Sequence, residues 1–390
     1  MTPVGIHDIE LATTHYALDL SDLAIDLGVD PGKYLVGLGQ QRMSVPAPDE
    51  DTVTMAAEAG AAIVARHGTD RLRAVIVATE SGVDQSKSAA VFVHKLLGLP
   101  PHVRAVELKQ ACYAGSAALV SALGMIAREP GSQVLVVASD VAKYEQRSPG
   151  EPTQGAGAVA MLISQDPALL EIEPAAGVST LDIDDFWRPN DSSTAVVDGS
   201  LSMSAYLNAL TGAWDDYRSR GGAGIEEIGR LLYHQPFSRM AVKAHRKLAQ
   251  HTGGDLTPEQ LEHGLHYNRE LGNSYTASLY IALASLLHHE ADLTGTRVGL
   301  FSYGSGSVGE FFSGLVREGY RDRLHPEAAA AQIADRAPIT VADYRALHAA
   351  ELGSAVDSRT ARVTTAPFRF AGIIDRARRY EATSPSDPRT

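Results

Sequence analysis

The chain has 390 residues, 44% of them hydrophobic and 21% charged, an ordinary globular composition with room for a large core and for two domains or two similar halves. Its formal charge of −13 disfavours a polyanionic partner such as nucleic acid or an anionic membrane. One cysteine excludes an internal disulfide framework and a cysteine-based metal cluster.

In chain order, residues 1–12 predict a first strand. No basic stretch followed by an apolar one stands there, and the longest apolar run, 117–127, is too short for a bilayer, so a cytoplasmic protein is expected. Residues 49–66 predict a helix, acidic at its start and alanine-rich after it. Residues 72–79 (LRAVIVAT) predict a buried strand ending at Glu80, and 86–97 a helix. Residues 103–108 alternate as a strand and lead into ELKQACYAGS at 107–116. A helix is predicted from 112 to 128, closed by Pro130 and Gly131. Cys112 then sits in a helix's first turn, where unpaired amides and the helix dipole favour a thiolate. A lone cysteine can equally be a small buried apolar residue.

Near-continuous apolar strands at 133–139 and 155–164 suit a sheet covered on both faces and close a first α/β block. Residues 167–174 read as a crossover, which divides the chain into 1–166 and 167–390. In the second block helices are predicted within 198–217 and at 238–250, 257–269 and 272–289. A strand within 225–232 leads into His234, and a strand at 297–302 precedes a glycine turn and another helix. Alternation of strands and helices in both blocks predicts an α/β fold of two similar halves. From 326 onward the chain reads as helical and charged, and 384–390 as a loose tail.

Several residues carry two readings. Glu80 ends an apolar strand, where a carboxylate is costly unless solvated, paired or protonated; it is either a base with a raised pKa or a capping residue. His234 is a satisfied structural histidine or a site residue. Arg239 and Lys243, one turn apart on the next helix, form an anion site or a solvated face. Asn273 caps the following helix or holds a reacting carbonyl. Gly304-Ser-Gly-Ser-Val-Gly309 fits G-x-G-x-x-G, but no strand with a ribose-binding acid follows, so it reads as a tight turn with amides near a site. The pairs His263/His266 and His288/His289 lack a third convergent ligand and read as surface residues.

Taken together, ATES at 78–81, ELKQACY at 107–113, YHQPF at 233–237, GNSYT at 272–276 and FSYGSG at 301–306 resemble the signature segments of 3-hydroxy-3-methylglutaryl-CoA synthase, bacterial mevalonate type, from Gly5 to about Phe312, with a weaker echo near Phe368 to Tyr380. That resemblance implies the thiolase fold, two βαβαβ halves in a five-layered α/β/α/β/α core, as a homodimer. It implies condensation of acetyl-CoA with acetoacetyl-CoA through an acetyl-cysteine, with Cys112, Glu80, His234 and Asn273 catalytic. Tyr144, Thr153, Phe186, Ser202, Arg239, Lys243 and Ser305 would line the coenzyme A and acyl pocket, Arg239 standing where the family commonly has lysine. No metal and no other cofactor is implied. Competing expectations are a β-branching synthase of polyketide assembly, whose acyl group rides on an acidic acyl carrier protein, and a catalytically silent scaffold.

Overall fold

The computed structural model describes residues 2–350 and 356–383; the tail predicted at 384–390 lies outside them. Nine strands build its main sheet: β1 (Val4–Ala12), β2 (Leu72–Ala78), β3 (Arg104–Leu108), β4 (Gln133–Val141), β5 (Ala156–Gln165), β6 (Leu170–Thr180), β7 (Arg230–Tyr233), β8 (Arg297–Gly304) and β9 (Val308–Val316). Their order is β7-β8-β9-β6-β1-β5-β4-β2-β3. The two halves of the sheet meet where Gly5 and Ile6 of β1 pair with Glu171 and Leu170 of β6.

Strand alternation decides the layers. In β2, Ala74, Ile76 and Ala78 face inward, toward α3 (Ala114–Arg128) and α6 (Ser278–His289). Val75 and Val77 face outward, toward α1 (Thr52–His67) and α2 (Ala89–Leu96). In the second half Leu232, Val298 and Leu300 point inward. Leu231, Tyr233, Phe301 and Phe311 meet α4 (Gly199–Ser219) and α5 (Ser238–Thr252) on the outside. Helices, one half of the sheet, helices, the other half, and helices make five layers. α6 is buried all round from Ser278 to Leu287, as a helix between two sheets must be.

Five local expectations are corrected. The crossover expected at 167–174 is shorter than that: residues 166–169 carry the chain from β5 to β6 on the other side of β1, and β6 already begins at Leu170; Asp166 takes the left-handed conformation there, with φ of 51°. The glycine turn leads not into a helix but into β9, whose VGEFFSGLV alternates with period two and pairs antiparallel with β8. The helix predicted at 257–269 breaks at Gly264, whose carbonyl accepts from Gln235 Nε2 at 3.0 Å. Beyond 326, helices Pro326–Ala334 and Val341–Ala349 are followed by a small antiparallel sheet of Ser358–Arg359, Phe368–Ile374 and Ala377–Ala382. Finally, 111–128 is long and apolar enough by length and composition to cross a bilayer, although Ala118, Leu119, Ala122 and Ile126 pack it into the inner core.

Candidate active site

Three strand ends bring the site together. β2 delivers Glu80, the turn after β3 delivers Cys112, and β7 delivers His234. Open α/β architectures place their sites at such carboxyl ends. β8 ends beside them at Gly304, where a Cβ would meet Gln110 O at 2.5 Å and Tyr113 N at 2.7 Å. Only glycine allows that approach, and it brings Ser305 to the cysteine turn. Ala111, just before the nucleophile candidate, holds a left-handed φ of 42°, a strained conformation for a residue with a Cβ.

A cavity of about 630 Å³ takes in Cys112, His234, Asn273, Tyr144, Thr153, Phe186, Ser202 and Ser305. Glu80 joins it through Cys112, whose thiol donates to Glu80 Oε1 at 3.2 Å. Arg239 and Lys243 do not line the cavity but are exposed at its rim. Lys243 Nζ lies 3.6 Å from Met203 Sδ, and Met203 is part of the wall. A separate hollow of about 720 Å³ around Arg297, Glu173 and Tyr217 contains none of the predicted residues. Its Arg297 is committed to both oxygens of Glu173.

The electrostatics depart from expectation at the sulfur. α3 starts at Ala114, two residues past Cys112, and burial together with the adjacent Glu80 pushes the thiol well above its ordinary range. The helix dipole therefore does not set its ionisation, because desolvation and a neighbouring carboxylate both outweigh it. Burial and the nearby Asp140 raise Glu80 to about 8. His234 is 2% exposed, and burial pushes it down to about 3, so the imidazole is neutral at physiological pH. Tyr206 Oη donates to the His234 carbonyl at 2.7 Å, while His234 Nδ1 is buried with no hydrogen-bond partner among the described residues. Asn273 Oδ1 accepts from Tyr275 N at 2.9 Å, so it caps the turn ahead of α6 and also faces the cavity.

Sequence reading missed the residue that holds these pieces. Asp140 is fully buried at the end of β4. Its Oδ1 accepts from Thr79 Oγ1 at 2.7 Å, Glu80 N at 2.9 Å, Ser81 N at 2.9 Å and Ser81 Oγ at 2.6 Å. Its Oδ2 accepts from Thr276 N and Thr276 Oγ1 of the second half. An acid closing an apolar strand was the signal that singled out Glu80, and it applied equally here. Tyr275, at a left-handed φ of 45°, packs edge-on against Tyr144 and Phe186 in the cavity wall. Of the histidine pairs, His288 is not a surface residue: Tyr267 Oη lies 2.8 Å from its Nδ1, and burial lowers it to about 4.

Chemically, a thiol on a carboxylate, beside a neutral imidazole and within a partly aromatic wall, suits acyl transfer to sulfur followed by proton abstraction. Comparison with known proteins gives a consistent result. The N-terminal model of hydroxymethylglutaryl-coenzyme A synthase matches residues 2–168, and the C-terminal model matches 179–252 and 246–347. The hydroxymethylglutaryl-CoA synthase of Enterococcus faecalis is 40% identical over 358 residues, covering 91% of this chain and 94% of the relative. The polyketide-biosynthesis 3-hydroxy-3-methylglutaryl-ACP synthase of Bacillus subtilis is 32% identical over 372 residues, covering 89% and 88%. A solved structure described as MvaS in complex with 3-hydroxy-3-methylglutaryl coenzyme A superposes with a TM-score of 0.92 at 38% identity, over 98% of this chain and 100% of the other.

Proposed function

The chain belongs to the hydroxymethylglutaryl-CoA synthase family and condenses acetyl-CoA with acetoacetyl-CoA, and we propose that Cys112, Glu80, His234 and Asn273 divide that reaction among them. The observation that carries this division is the hydrogen bond from Cys112 to Glu80 beside a cavity that His234 and Asn273 also line.

Cys112 passes its proton to Glu80 and attacks the thioester carbon of acetyl-CoA. The backbone amides of Cys112 and Ser305 meet the developing oxyanion. The bond to coenzyme A breaks, and its sulfur takes the proton from Glu80. Glu80, ionised again, removes a proton from the acetyl methyl, and the carbanion adds to the ketone carbon of acetoacetyl-CoA. His234, neutral in its buried seat, donates its N–H to that ketone oxygen with Asn273 beside it. The proton taken from the methyl finally rests on the tertiary alcohol. Water then cleaves the thioester to Cys112, restoring the thiol and releasing 3-hydroxy-3-methylglutaryl-CoA. Sulfur, carboxylate, imidazole and amides meet every charge, so this reading needs no metal or redox cofactor.

At the rim, Arg239 and Lys243 are placed to meet the phosphates of coenzyme A, and Tyr144, Thr153, Phe186 and Ser202 to hold the acyl arm. A cytoplasmic setting fits a nucleophile that must stay reduced. A homodimer is supported by the edge strand β3, where Val106 is 39% exposed, and by α3, which touches it and leaves Val120 49% exposed; an uncovered strand edge invites pairing with a second copy.

The test is mass spectrometry of the protein after incubation with acetyl-CoA alone. One acetyl group is expected on Cys112, and Cys112→Ala should abolish it. A native chain that gains no acetyl overturns the reading.

A further inference from the structure

The small sheet at 358–382 contributes no residue to the cavity wall, yet it grips the start of α1 at two points. Asp49 Oδ2 accepts from Val363 N at 2.9 Å and Thr364 N at 3.1 Å, and Asp49 O accepts from Phe370 N at 2.8 Å. Asp51 is the N-cap of α1: its Oδ1 accepts from Val53 N at 2.9 Å and Thr54 N at 3.1 Å. Its Oδ2 accepts from Arg378 Nη2 at 2.7 Å and Tyr380 Oη at 2.6 Å. One carboxylate thus caps the helix with one oxygen and anchors the sheet with the other. The junction is built, not incidental. Arg378 and Asp51 side chains are 11% and 13% exposed, the Arg378 guanidinium lies 4.2 Å from the Phe370 ring centre, and Tyr380 packs on Phe92 of α2.

The next residue of α1 reaches the active-site turn. Thr52 Oγ1 donates to Ser81 O at 3.2 Å and lies 3.0 Å from Ser81 Oγ, while Thr52 O accepts from Ser139 Oγ at 2.7 Å. Ser81 Oγ in turn bonds Asp140, which holds Glu80 N. Hydrogen bonds from Tyr380 and Arg378 to Asp51, the peptide bond from Asp51 to Thr52, and hydrogen bonds from Thr52 through Ser81 and Asp140 therefore lead to the backbone of Glu80.

We propose that the C-terminal sheet is a clasp whose Arg378 and Tyr380, bonded to Asp51, act as positioning residues for the Glu80 turn. The proposal rests on Glu80 being the base of the condensation. An acid that must reach a methyl group on Cys112 tolerates little displacement, since errors of about 1 Å cost rate steeply. Acetylation of Cys112 is less demanding, because there Glu80 only relays a proton between two sulfurs across the hydrogen bond it already makes with the thiol, whereas abstraction from carbon needs a close, aligned approach.

The experiment compares the native chain with Tyr380→Phe, Asp51→Asn, Arg378→Met and the conservative Arg378→Lys, each shown to be folded by circular dichroism. Asp51→Asn keeps a capping oxygen while removing the charge. Acetyl-Cys112 formation is followed in single turnover by mass spectrometry, and condensation by release of free coenzyme A with acetoacetyl-CoA present. Arg378→Met and Asp51→Asn should lower kcat for condensation about tenfold. Acetylation rate and KM should stay within about twofold of native, and Arg378→Lys should recover most of the loss. Native kcat in the folded variants, or acetylation and condensation falling together, overturns the proposal. If Arg378→Met does not fold, Tyr380→Phe, which deletes one hydroxyl, decides by the same split. Glu80→Ala run alongside separates the two ideas: if it condenses normally the role of Glu80 fails, whereas if it is dead and the clasp variants are native, only the clasp fails.

Discussion

With α3 beginning past Cys112, control of the sulfur's proton passes from the helix to Glu80, and the two side chains behave as a pair. Glu80→Ala should still accept an acetyl group, more slowly for want of the thiol's proton acceptor, but form no carbon–carbon bond; normal condensation by that variant would remove Glu80 from its role. Because burial lifts Glu80 to about 8, condensation should rise with pH through about 8 as the carboxylate forms, and a flat profile in that range would contradict it. Stability should move the other way. A carboxyl whose folded pKa is raised from 4.5 stabilises the fold fully below that value and loses its contribution as pH rises through about 8. Glu80→Gln, neutral throughout, should therefore lose less stability than the native chain between about pH 5 and 9, read from denaturant midpoints. Equal losses would show that the buried carboxyl is not strained by ionisation.

Among the elements, the close packing of β8 on the cysteine turn matters most. Gly304 has backbone atoms of Gln110 and Tyr113 where a Cβ would go, and backbone cannot swing aside as a side chain can. Gly304→Ala should cost about 1–3 kcal/mol by denaturant unfolding and slow acetylation of Cys112 about tenfold or more. Wild-type acetylation in that variant would show that the turn adapts. The same hairpin explains why the G-x-G-x-x-G pattern misleads as a dinucleotide fingerprint: β9 follows it, so no helix amino terminus stands ready for a phosphate.

On the scale of the whole molecule, the site exists because two halves meet. Glu80 and Cys112 come from one, His234 and Asn273 from the other, and Asp140 bonds Thr276 across the join. If β3 pairs with a second copy, sedimentation should report twice the chain mass of 41.4 kDa, and Val106→Lys should shift the protein toward monomer; a monomeric native chain would remove the dimer reading. Greater identity to the Enterococcus CoA enzyme than to the Bacillus carrier-protein enzyme leads us to expect faster turnover of acetoacetyl-CoA than of acetoacetyl carrier protein, a preference that a direct comparison would reverse if the chain served polyketide assembly.

The sequence by itself determined β2, β4 and β5, because strands covered on both faces must read as near-unbroken apolar runs, but not β9 or the small C-terminal sheet, which it read as helical; it marked Glu80 and His234 at strand ends, Cys112 at a helix start and Asn273 ahead of a helix. Only the tertiary structure decided how those groups are charged, since desolvation depends on neighbours distant in sequence. The same holds for Asp140 and the clasp on Asp51: the bonds from Asp140 to Thr276 and from Asp51 to Arg378 join residues more than a hundred apart along the chain, where no local pattern records them.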